Sequence, residues 1–182
     1  LQRACALAAY APREAAAGVD CGVVGAALTE HAREDSVIVT DAGNFSSWVH
    51  RHWPWGRKTR LFGCAGGAMG MGFPGAVAAA MRLPGRQILT FCGDGGALMT
   101  GNELATAVKH GVAVKVFISN NASYGTIRQH QEMGFPGRGG GTGLTRPDFA
   151  AWAESLGAKG LGIDEDSDIE KAVGGALAAE ES

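Results

Sequence analysis

Apolar runs of strand length recur along the chain, each followed by a segment of helical character. Residues 36–40 (SVIVT), 87–92 (QILTFC) and 112–119 (VAVKVFIS) are β-branched or aromatic runs bounded by turn residues, and they predict three strands. Between them, residues 21–33 predict a helix with Asp20 as N-cap. The alanine-rich residues 75–82 predict a second helix, and residues 102–109 a third, closed by Gly111. Strands that are apolar on both faces and alternate with helices imply a parallel sheet covered on each side. The expected fold is α/β: a doubly wound, mainly parallel sheet with helices on both faces.

The later pattern is weaker. Residues 128–143 are polar and glycine-rich, with Gly139, Gly140 and Gly141 in a row, and read as a mobile loop. Pro147 opens an expected helix over 148–155, and residues 167–180 predict a last one with no strand after it. No internal repeat or interdomain linker is visible. The chain starts at Leu1 and is alanine-rich up to Gly18, so residues 1–18 read as a linker or the tail of a preceding region, and 19–182 as one domain.

Composition narrows the function. Of 182 residues 46% are hydrophobic and 19% charged, a balance that excludes a disordered chain. Glycine, at 29 residues, is about twice as frequent as usual, which points to tight turns and bare backbone. A net charge of -2 gives no footprint for nucleic acid. No apolar run approaches a membrane span and no signal peptide opens the chain, so the expectation is a soluble, cytoplasmic protein with no membrane contact. Cys5, Cys21, Cys64 and Cys92 form no zinc-ligand spacing and read as reduced, structural thiols.

Chemistry concentrates after residue 92, where Gly93, Asp94, Gly95 and Gly96 lead into a helix. In an open parallel sheet, ligands bind beyond the carboxyl ends of strands, and a helix start there offers unpaired N–H groups to a phosphate. Asp94 would repel that phosphate unless a cation lay between them, and magnesium resolves the conflict. The next strand ends at Asn120 and Asn121. The 24 residues from Gly96 to Ser119 fit one helix and one strand, so Asp94 and Asn121 are expected to converge. One carboxylate, one amide, a backbone carbonyl, phosphate oxygens and water suit a hard, six-coordinate metal. Gly70, Gly72 and Gly75 also satisfy a dinucleotide fingerprint, but Pro74 interrupts it and no convincing strand precedes it, so a tight crossover is the preferred reading.

GDG, 24 residues, then NN resembles the signature of the diphosphate-binding domain of thiamine-diphosphate enzymes. GAMGMGFPGAVAAAM at 67–81, GDGGALMTGNELATAV at 93–108 and NNASYGTIRQHQ at 120–131 are similar to the acetolactate synthase and 2-oxo acid decarboxylase superfamily. The resemblance covers about residues 19–162. It implies that Asp94, Asn121 and the Ser123 carbonyl hold Mg2+, and that Gly95, Gly96 and Ala97 give backbone contacts to the diphosphate of thiamine diphosphate. Gly43, Asn44 and Phe45 match the loop that reaches the diphosphate from the neighbouring strand. Met69 stands where the family places the apolar wedge that bends the coenzyme; the Gly67 carbonyl and the Met69 N–H would bond its aminopyrimidine, giving both a catalytic part. Without the resemblance Met69 reads as a core methionine.

The family implies a 2-oxo acid substrate, decarboxylation or carboligation, and a homo-oligomer. It also implies a glutamate on a pyrimidine-binding domain of the same or a partner chain, and no glutamate of this sequence matches it. Glu103 reads as a helix-surface or packing residue. The chain alone is therefore expected to bind cofactor weakly and not turn over. The family's closing strand has no counterpart before Ser182, which reads as a C-terminal truncation. The alternatives are a non-catalytic cofactor-binding or assembly module, or one subunit of a split decarboxylase. His50 and His52 read first as a surface or interface cluster, and Arg128 and His130 as solvated positions, with substrate contact as the alternative for each. His31 and His110 sit near expected helix ends and carry no chemistry.

Overall fold

A computed structural model of the chain describes residues 18–179. Residues 1–17 of the expected N-terminal tail, Cys5 among them, and residue 180 of the expected last helix lie outside them. Four strands, β1 (Val37–Thr40), β2 (Arg60–Gly63), β3 (Ile88–Gly93) and β4 (Lys115–Ser119), form one parallel sheet in the order β2-β1-β3-β4.

Side chains alternate strictly across this sheet. Val37, Val39, Ile88 and Cys92 pack on one face against α3 (Gly72–Arg82), α4 (Asp94–Thr100), α5 (Leu104–Lys109) and α7 (Phe149–Ser155). Ile38, Leu89 and Phe91 pack on the other against α1 (Cys21–His31), α2 (Ser46–His52) and α8 (Ile169–Ala178). The doubly wound α/β arrangement expected from the sequence is present. Burying a Val, Leu, Ile or Phe side chain stabilises by about 1.5–3 kcal/mol, so these two layers supply most of the driving force.

Local signals set the helix starts. The Asp20 carboxylate accepts the Gly22 N–H at 2.7 Å and caps α1, and Asp148 caps α7 by accepting from Ala151 at 3.0 Å. Pro147 thus precedes the cap rather than opening the helix. The Asp20 N–H donates to Asp166 Oδ1 at 2.8 Å, and His31 at the end of α1 pairs with Glu170 of α8, which ties both ends of α1 to the start of α8.

Three departures from expectation share a cause: the elements bury too little for a periodic apolar signal to appear. Strand β2 is an edge strand exposed along all four residues. Helix α2 buries none of its seven. Helix α6 (Gly125–Gly134) replaces the first part of the loop expected over 128–143, and none of its residues is buried. Among the described residues no helix is long and apolar enough to cross a membrane.

The order of the strands creates the site. From β1 the chain leaves to α2 on one face, and from the adjacent β3 it leaves to α4 on the other. A crevice opens where neighbouring connections diverge at the carboxyl ends of parallel strands.

Candidate functional site

A cleft of about 1180 Å³ occupies this crevice. The β1–α2 loop (Gly43, Asn44, Phe45) forms one rim, Asn121 and Ser123 to Ile127 form the opposite one, and Gly93 to Gly96 form the floor. Gly67, Ala68 and Met69 close the side next to β2. All the residues expected at a cofactor site line this cleft except Ala97, whose side chain is buried in the core beneath the floor.

Apart from Asp94 the floor is backbone, because neighbouring groups occupy the space where side chains would be. A Cβ on Gly96 would lie 2.4 Å from Asp41 Oδ2, and one on Gly95 2.5 Å from the Tyr124 ring. Phe45 lies against Gly93 from the other rim. Two aromatic rings therefore flank the glycines at the start of α4, where the first N–H groups have no carbonyl partner within the helix.

Asp94 is 3% exposed, and both carboxylate oxygens are engaged. Oδ1 accepts the Gly95 N–H at 2.8 Å, and Oδ2 accepts the Ser123 N–H at 3.1 Å. Asn121 Oδ1 accepts that same Ser123 N–H at 3.0 Å. One donor thus brings together the carboxylate from β3 and the amide oxygen from β4, the convergence expected from the spacing. Between Asn121 and Ser123, Ala122 adopts φ +55°, a left-handed turn that costs an alanine about 1–2 kcal/mol and folds the Asn121 side chain back over the backbone.

Asn120 does not join Asn121. It lies outside the cleft lining, donating from Nδ2 to the Pro147 carbonyl at 3.3 Å, while its Oδ1 is buried without a partner.

Asp41, not singled out from the sequence, organises the β2 side. It is 3% exposed, and its two oxygens accept the Gly70 N–H at 2.8 and 2.9 Å; Oδ1 also accepts from Ala42 at 2.8 Å. Thr100 Oγ1 donates to the Gly70 carbonyl at 2.8 Å. Gly70 takes φ +96°, a conformation open to glycine. These ties fix the residue after Met69, which lies half-buried in the cleft wall. Helix α3 packs its Gly75 against Val39 closely enough that a Cβ would sit 3.2 Å from it, so the glycine pattern at 70–75 serves a tight crossover. The signal that could have found Asp41 is its position: it directly follows a strand, and no further acid occurs before Asp94.

The other candidates separate cleanly. His50 lines the cleft, with Nε2 3.3 Å from the Thr40 hydroxyl, whereas His52 stacks on Trp48. Arg128 and His130 are exposed on α6 outside the cleft lining. Glu103 accepts from the Thr106 hydroxyl at 2.9 Å, a packing role at the start of α5. Cys92 is fully buried beneath the site; burial first, then the nearby Asp41 and Asp94, push its thiol well above the ordinary range. Among the described residues no three His, Cys, Asp or Glu side chains converge as a metal site. A cation would therefore rest on one carboxylate, one amide oxygen and main-chain oxygen, and would need further oxygens from a ligand.

Residues 41–182 match the family described as thiamine pyrophosphate enzyme, C-terminal TPP binding domain. The acetolactate synthase large subunit of Lactococcus lactis subsp. lactis (strain IL1403) is 36% identical over 139 residues, covering 75% of this chain and 24% of that protein. The mitochondrial acetolactate synthase catalytic subunit of Saccharomyces cerevisiae (strain ATCC 204508 / S288c) is 33% identical over 136 residues, 74% of this chain and 20% of that one. The chain thus spans about a quarter or less of the length of these relatives. Among solved structures, the Rhodococcus jostii RHA1 thiamine diphosphate-dependent 4-hydroxybenzoylformate decarboxylase superposes with a TM-score of 0.87 at 27% identity, over 94% of this chain and 33% of that one. The family match, the acetolactate synthase relatives and the shared fold agree with the cleft at the β1/β3 crevice, and the chain belongs to the thiamine pyrophosphate enzymes, as their C-terminal, cofactor-binding domain of acetolactate synthase-like type.

Proposed function

We propose that this cleft binds thiamine diphosphate through Mg2+, and that the chain is the diphosphate-binding half of a decarboxylase or carboligase acting on 2-oxo acids. The observation that carries the reading is the meeting of Asp94 and Asn121 at the Ser123 N–H, near the tips of two adjacent strands, beside the glycines of the floor. The donor set fits a hard cation: a buried carboxylate and an amide oxygen, with the Ser123 carbonyl as a third protein ligand. On cation binding, Asp94 and Asn121 would turn their oxygens from a shared N–H to the metal.

The residues divide the remaining work. Gly95, Gly96 and Ala97 present backbone N–H groups to the diphosphate, and the cation offsets the Asp94 charge that would otherwise repel it. Gly43, Asn44 and Phe45 enclose it from the β1 side. Met69, held by the Asp41–Gly70 tie, would press an apolar side chain against the coenzyme's rings and impose the bent shape, while the Gly67 carbonyl and Met69 N–H hold the aminopyrimidine. Once bound, the coenzyme supplies a carbon nucleophile and an electron sink for carbon dioxide loss. The acids lining the cleft are Asp41 and Asp94, and both are engaged with backbone N–H groups. That supports an acid for the aminopyrimidine coming from a pyrimidine-binding domain of the same or a partner chain, in a homo-oligomer.

Calorimetry tests the reading. Thiamine diphosphate should bind in the presence of magnesium, and Asp94→Ala should abolish that binding; unchanged affinity in the variant overturns it. Magnesium alone should bind at least tenfold more weakly than in the presence of the diphosphate, because the protein supplies too few oxygens by itself.

A further inference from the structure

Asn44 is tied across the cleft to the opposite rim. Its Nδ2 donates to Gln129 Oε1 at 2.7 Å, and its backbone N–H donates to Thr126 Oγ1 at 3.2 Å. Both acceptors lie on α6, three residues apart and therefore on one side of the helix. Since α6 buries no residue, hydrophobic packing does not fix its position, and polar ties carry that task. Gln131 bonds Gly140 with both ends of its amide, each at 3.0 Å, and Glu132 accepts the Gly137 N–H at 3.0 Å. The chain then returns to the metal side, where Thr142 accepts from the Tyr124 N–H at 2.9 Å and the Ser123 hydroxyl at 3.0 Å. The β1–α2 loop, α6 and the glycine-rich segment form one hydrogen-bonded unit around the cleft mouth.

The two bonds of Asn44 differ in kind. The side-chain bond runs to Gln129, which lies outside the cleft lining. The backbone N–H lies between two cleft-lining residues and is the kind of donor an anionic oxygen competes for, with the Thr126 hydroxyl as its present acceptor. We infer that Gln129 is a positioning residue that holds Asn44 at the rim, and that Thr126 keeps the Asn44 N–H satisfied until a phosphate oxygen takes its place. The inference rests on the function proposed above, and it assigns opposite effects to two neighbours on one helix.

The test is calorimetry of the full chain with magnesium plus inorganic pyrophosphate, and with magnesium plus thiamine diphosphate. Gln129→Ala should weaken both by about 3- to 10-fold, the size of one uncharged hydrogen bond. Gln129→Met, which keeps the length and lacks the acceptor, should do the same. Thr126→Val, which removes only the competitor, should leave affinity unchanged or raise it. In an Asn44→Ala background, Gln129→Ala should cost nothing further, a coupling that general damage to α6 would not produce. In the ligand-free chain, Thr126→Val should speed exchange of the Asn44 amide proton seen by NMR, and ligand should slow it again. Wild-type binding that Gln129→Ala and Gln129→Met leave intact overturns the inference alone, as do additive costs or an equal loss in Thr126→Val. A wild-type chain that takes up neither ligand overturns the proposed function, and this inference with it.

Discussion

Asp41 receives the Gly70 N–H on both carboxylate oxygens, at 2.8 and 2.9 Å, so the tip of β1 grips the crossover that carries Met69. Gly96 lies over the same carboxylate, close enough that a Cβ would reach 2.4 Å from Oδ2. The clamp and the floor of the cleft are therefore one structure.

Asp41→Ala should destabilise the chain by about 2–3 kcal/mol in urea unfolding, because it leaves the buried Gly70 N–H and the half-buried Ala42 N–H without their charged acceptor. Gly96→Ala should also destabilise it, and its cost should shrink in the Asp41→Ala background, where the obstructing oxygen is gone. Equal costs in the two backgrounds would separate the floor from the clamp.

Ala122→Gly should raise stability by up to about 1 kcal/mol, since φ +55° is strained for alanine and free for glycine. The gain is offset in part by the extra freedom of glycine in the unfolded chain. Urea unfolding measures it, and a clear loss of stability would show that the turn carries no strain.

Cys92 should resist thiol reagents in the native chain, whereas Cys64, which lines the cleft, should react. Its raised thiol also gives stability a defined pH dependence. Above the ordinary value of 9.0 the unfolded chain releases this proton and the folded chain retains it. The unfolded state then binds fewer protons, so the contribution is intact below pH 9 and falls by about 1.4 kcal/mol per pH unit above it. The stability difference between the wild type and Cys92→Ala should accordingly narrow between pH 8 and 10.

Asp94 and Asn121 were legible because each lies at the end of a strongly apolar strand, although the span expected to hold one helix and one strand holds two short helices, α4 and α5, before β4. The two-faced sheet was legible for the same reason: residues such as Val37, Ile38 and Leu89 are apolar wherever they point. Asp41 escaped because its partner is a backbone N–H 29 residues away, which no local pattern reports. Thr126 and Gln129 escaped because α6 has no buried face, so the sequence around it looks like a polar loop. Asn120 and Asn121 both lie beyond β4, which ends at Ser119, and the left-handed turn at Ala122 that accompanies the Asn121 bond to the Ser123 N–H leaves no mark in the local sequence pattern.

Main chain offers evolution nothing to substitute. At Gly93, Gly95 and Gly96 the cleft floor offers only peptide groups, so the surface there is tied to the path of the fold and changes only when that path changes. Variation can enter instead at side chains along the edge of the opening, such as Leu61 and Ile127, both exposed and both in contact with it. The floor and the edge of the opening are thereby separable parts of the molecule, so one can drift while the other stays constant.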